Sequence, residues 1–98
     1  MNGQSVTPLL PKQCILVVDD TPDNIDLLSS ILADDYRIRV ATSGEKALKI
    51  VYSDEPPDLI LLDIMMPGLS GLEICRRLKA NPDRRRIPII FVDRKSVV

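Results

Sequence analysis

Four short apolar runs punctuate the chain, and the segments between them carry apolar residues at helical spacing. Such alternation predicts repeated βα units around a parallel sheet. The first run, Cys14 to Val18, is continuous and rich in β-branched residues, as a strand covered on both faces should be. Thr21 and Pro22 then offer an N-cap and a first-turn proline, and Ile25, Leu28 and Leu32 mark the inner face of a first helix. Arg37 to Ala41 alternates charged and apolar residues, which predicts a strand near a sheet edge. Thr42-Ser-Gly-Glu45 has the form of a capping box; the helix it opens should turn Ala47, Leu48 and Val51 inward and close at Pro56-Pro57. Asp58 to Asp63 reads as a third strand, again buried. Ser70 to Glu73 repeats the capping-box pattern and opens a helix through Leu72, Cys75 and Leu78, ended by Asn81-Pro82. Ile87 to Val92 is the fourth strand, its proline tolerable at the first residues or on an edge. Residues 1–13 hold two prolines and no apolar period, so they read as a flexible N-terminal leader.

Composition narrows the function classes. At 98 residues, 45% hydrophobic and 28% charged, the chain describes one small domain with a single core. A net charge of −1 gives no global field for nucleic acid or an anionic membrane, and the one basic run, Arg84-Arg85-Arg86, reads as a solvated loop. Cys14 and Cys75 lack the spacing of a zinc site, and there is no histidine to join them, so both read as small buried hydrophobes. No stretch approaches the roughly 20 apolar residues of a membrane span, and residues 1–13 lack the layout of a signal peptide. A reducing cytoplasm is the expected compartment.

The candidate chemistry lies at the strand ends. In a parallel sheet all strands point one way, so residues just past the first and third strands emerge on the same edge. Asp19, Asp20 and Asp63 are therefore expected to be neighbours. Three carboxylates in one crevice repel, and the arrangement persists only with a cation, a proton or an opposing lysine. With no histidine or thiolate nearby the donors are hard oxygens, which suit Mg2+ rather than zinc. An isolated carboxylate such as Asp63, beside a divalent cation in a partly dry pocket, can attack a phosphoryl group. Met65 and Met66 read as adaptable packing in the following loop, and a backbone carbonyl of that loop offers a further metal donor. Pro67-Gly68 supplies the turn into the next helix.

With "ILVVDD", "LILLDIMMPGLSGLE" and "IPIIFV" in place, the sequence from about Cys14 to Val92 resembles the receiver domain of two-component response regulators. The resemblance implies a flavodoxin-like, doubly wound parallel sheet. It implies a phosphoryl group taken from a sensor histidine kinase or phosphotransfer protein onto Asp63. It further implies Asp20 as a direct Mg2+ ligand, Asp19 as a pocket partner acting through water, and Met65 as the donor of a backbone carbonyl to the metal. The wording "VDDTPDNIDLL" and "GEKAL" is similar to receivers that precede cyclic-dinucleotide output domains or sit in hybrid kinases. Direct contact with nucleic acid or membrane is not expected. In the family the fourth strand leads into a Ser or Thr, then a helix, a fifth strand ending in lysine and a last helix. Here position 93 is Asp and the chain stops at Val98. The fold is therefore expected to be incomplete, with Ile89 to Val92 on an open edge, and the fragment is expected to lack full switching ability. The tail "DRKSVV" is what GAT CGG AAG AGC GTC GTG encodes, which looks like a common sequencing-library adapter. Residues 93–98 are accordingly expected to be a non-native tail.

Two other readings compete. A receiver-like interaction domain that never takes phosphate is permitted by the missing lysine but leaves the aspartate triad unexplained. A phosphatase working through its own aspartyl-phosphate wants a second Asp two residues beyond the nucleophile, where this chain has Met65. A nucleotide-binding βαβ unit is disfavoured, since the first strand leads into Asp-Asp-Thr-Pro and not a glycine-rich loop.

Overall fold

The computed structural model describes residues 12–92. All but the last two residues of the expected leader (1–13), and the whole of the expected non-native tail (93–98), lie outside the described residues. Strands β1 (Cys14–Val18), β2 (Arg37–Ala41), β3 (Leu59–Asp63) and β4 (Ile89–Val92) form one parallel sheet in the order β2-β1-β3-β4. Helices α1 (Pro22–Leu32), α2 (Gly44–Val51) and α3 (Gly71–Lys79) make the connections. The parallel sheet is what the alternating pattern predicts, and its doubly wound form is what the resemblance implies.

β1 is central and all five of its side chains are buried, which is why its sequence runs apolar without alternation. Leu16 and Val18 face one layer, packed with Ala47, Val51, Ile60, Leu62, Ile74 and Leu78 under α2 and α3. Ile15 and Val17 face the other, packed with Ile25 and the flanking Leu28 and Leu32 of α1. A parallel sheet needs both coverings, because each face of β1 and β3 is apolar. β2 lies at one edge, and among the described residues β4 lies at the other, where Ile90 and Phe91 remain 50% and 37% exposed.

The helices deviate from expectation in their details. α2 starts one residue later than a Thr42 cap would place it: the Ser43 hydroxyl accepts from the Lys46 amide at 3.2 Å. Ser70 caps α3 as expected, accepting from the Glu73 amide at 3.2 Å. The Glu73 carboxylate, however, takes hydrogen bonds from Arg76 and Arg77, which pull its pKa below the ordinary range, Arg76 foremost. Charge attraction thus replaces the second half of the capping box. The inner face of α3 is Gly71, Ile74 and Leu78, leaving Leu72 exposed and Cys75 only half-buried, so the reading of both cysteines as core residues holds for Cys14 alone. The Arg84-Arg85-Arg86 run is not simply a solvated loop either. Arg84 Nε donates to the Val51 carbonyl at 2.7 Å, which satisfies one of the acceptors left open at the end of α2.

Gly71 marks the tightest approach between a helix and the sheet. A Cβ added there would sit 2.5 Å from the Asp63 carbonyl oxygen, so α3 starts against the end of β3 only because residue 71 has no side chain. Gly71→Ala is therefore expected to lower unfolding stability by about 1–3 kcal/mol, despite the better helix propensity of alanine. A urea melt of the two proteins checks this; equal midpoints contradict it.

Candidate metal centre

The register of the sheet builds the site. Val18 of β1 pairs with Leu62 of β3, so the next residues, Asp19 and Asp63, leave the sheet side by side at its C-terminal edge. The Asp19 amide donates to the Ala41 carbonyl at 3.1 Å, holding that residue in line with β2. Asp20 follows into the loop. One carboxylate oxygen from each of Asp19, Asp20 and Asp63 lies within 4.8 Å of the others, which brings together the three aspartates singled out in the sequence.

Their surroundings differ. Asp19 is 2% exposed and Asp63 8%, whereas Asp20 is open to solvent. The Asp19 carboxylate accepts from the Thr21 amide at Oδ1 (2.9 Å) and from the Asn24 carboxamide at Oδ2 (3.2 Å). Thr21 does not cap α1 with its side chain; its hydroxyl donates to Asp20 Oδ1 at 3.4 Å. Asp63 Oδ1 accepts from the Met65 amide at 3.0 Å, which ties the phosphoacceptor candidate to the loop that follows it. That loop and Asp20 wall a shallow cleft of about 460 Å3, lined by Asp20, Ile64, Met65, Met66, Pro67 and Ser70. The two methionines part company here. Met66 packs into the core as expected, but Met65 is 53% exposed on the cleft and meets Asp63 through its backbone amide. Gly68, at φ 74°, takes the left-handed turn that sends the chain back toward α3.

Carboxylates this close repel one another. Two unit charges about 4.8 Å apart repel by about 3–4 kcal/mol at an effective dielectric near 20. The donors on offer are oxygens only, two of them held at a fixed depth by hydrogen bonds, and Mg2+ prefers that donor set. The residues present therefore fit Mg2+. Sequence reasoning missed Asn24, and the signal was there: a polar, weak helix former in the first turn of α1, one turn beyond the acidic pair.

Comparison with known proteins points the same way. The family model described as "Response regulator receiver domain" matches residues 15–97. A probable cyclic di-GMP phosphodiesterase of Vibrio cholerae is 52% identical over 85 residues, covering 86% of this chain and 19% of that protein. Response regulator PleD of Caulobacter vibrioides is 46% identical over 79 residues, covering 80% of this chain and 17% of PleD. The chain thus spans only about a fifth of these relatives. Among solved structures, response regulator protein TrrA of Thermotoga maritima, in complex with Mg(2+)-BeF, superimposes with a TM-score of 0.75 at 37% identity. That match covers 87% of this chain and 76% of TrrA. The N-terminal domain of a response regulator receiver protein from Methanoculleus marisnigri gives 0.75 at 42% identity, covering 81% and 64%.

Mg2+ binding to the chain should depend on Asp20 and Asp63 above all other acidic residues. Asp20→Ala is expected to weaken it at least about tenfold, or ~1.4 kcal/mol. Asp54→Ala and Asp83→Ala, in loops away from the cluster, should leave it unchanged. Isothermal titration separates the cases, and equal losses in all variants would mean diffuse charge attraction.

Proposed function

The chain belongs to the response regulator receiver family, and on that premise we propose that Asp63 is its phosphoacceptor and that Asp19, Asp20, Asp63 and the Met65 carbonyl hold the Mg2+ this family binds. The observation that carries the reading is the convergence of the three carboxylates at one sheet edge, with Asp63 set back at the end of β3 and Asp20 open to the cleft.

Each residue has a distinct task. A carboxylate oxygen of Asp63 attacks phosphorus; the new P–O bond forms as the P–N bond to the donor's phosphohistidine breaks, and the imidazole leaves with the electron pair and takes up a proton. The Met65 amide fixes Oδ1 of Asp63 and so sets the plane of the nucleophile. Asp20, the exposed member at the cleft wall, would serve as a direct metal ligand. Asp19, nearly closed off from solvent, would face the metal from the inner side of the cluster. Held by these residues, Mg2+ would offset the charge of the phosphoryl oxygens that the Asp63 carboxylate has to approach.

The domain is a substrate of phosphotransfer and a signalling module; it is not itself an enzyme. Its donor is a sensor histidine kinase or phosphotransfer protein in the cytoplasm, and it needs no contact with nucleic acid or membrane. The similarity to a probable cyclic di-GMP phosphodiesterase and to PleD supports a cyclic-dinucleotide output in the full-length product.

Acetyl phosphate with Mg2+ should label the full-length gene product on its receiver, and Asp63→Asn should abolish that label. Undiminished labelling of the variant would place the phosphate elsewhere.

A further inference from the structure

We infer that Asn24 is a positioning residue of the metal centre: its carboxamide, with the Thr21 amide, fixes the Asp19 carboxylate from behind while leaving its charge for the cation. The inference rests on the reading of Asp19, Asp20 and Asp63 as the metal cluster, and it deepens that reading.

Asp19 is the most deeply buried acidic side chain of the described residues, at 2% exposure. A carboxylate so placed needs hydrogen bonds to stand in for water. It receives one at each oxygen, from the Thr21 amide at Oδ1 and from Asn24 Nδ2 at Oδ2. Neither donor carries a charge. A lysine or arginine in place of Asn24 would satisfy the same oxygen, but it would neutralise Asp19 and compete with a metal for it. A carboxamide holds orientation without that competition. With one hydrogen bond at each oxygen, each retains a lone pair, and the plane of the group is set by two anchors at either side.

The position of Asn24 in the chain makes the anchor rigid. It is the third residue of α1, after Pro22, whose ring fixes the first turn, and its own amide donates to the Thr21 carbonyl at 3.1 Å. Ile25, the next residue, is locked into the core beneath β1. Asn24 is half-buried and turned to Asp19, although asparagine is a weak helix former and the helix gains nothing from it there. Groups of this kind, which hydrogen-bond a metal ligand without touching the metal, commonly set its affinity.

The test is Mg2+ titration calorimetry on the chain, with metal-free thermal melts of each variant alongside. Asn24→Leu and Asn24→Ala are expected to weaken Mg2+ binding about tenfold. In an Asp19→Asn background the same changes should have no further effect, because the residue acts through Asp19. A purely structural role predicts a lower metal-free melting temperature with unchanged Mg2+ affinity, and that result overturns the inference. So does an equal loss of affinity in both backgrounds. If Mg2+ binds and needs Asp20 but ignores Asn24, the inference alone falls; if the unaltered chain binds no Mg2+, the site reading falls and takes the inference with it.

Discussion

The parallel pairing of β1 with β3 is the constraint on which the rest depends. Because Val18 and Leu62 are in register, the two chains leave the sheet together and their next residues must share one edge. Apolar burial on both faces of these strands provides the driving force, and the carboxylates are carried along with it. Their mutual repulsion is thus a cost the fold accepts, offset by hydrogen bonds to Asp19 and Asp63 and relieved when a cation binds.

The two glycines of the β3–α3 connection extend the same logic. Gly68 turns the chain in the left-handed region, and Gly71 lets α3 start in contact with the carbonyl of Asp63. Ahead of Gly68 the loop is anchored by Met66 in the core and by the Met65 amide on the Asp63 carboxylate. The nucleophile candidate is therefore held by the backbone on either side of it, and a change at Gly71 would be felt at the site as well as in stability.

Much of this was legible in the sequence because period and chirality leave little choice. A continuous apolar run such as Cys14 to Val18 must be a doubly covered strand, and two such strands joined through βαβ units must run parallel, which alone brings Asp19, Asp20 and Asp63 together. Side-chain partnerships were less legible. A capping-box pattern at Thr42 does not say whether Thr42 or Ser43 caps, since both carry hydroxyls, and Glu73 chose two arginines over its own helix start. Nor could charge patterning show that Arg84 bonds the end of α2, because that contact spans 33 positions of chain. Asn24, only five residues from Asp19, escaped notice because its partner is fixed by how α1 enters and not by the apolar period.

The most direct measurement of the central claim maps the phosphorylated residue itself. The full-length gene product, phosphorylated by acetyl phosphate in Mg2+, is reduced with borohydride, which converts an aspartyl-phosphate to homoserine, and then digested and sequenced by mass spectrometry. Homoserine at position 63 alone is the predicted result. Homoserine at Asp19 or Asp20, or a phosphorylated protein with Asp63 unmodified, would contradict the account.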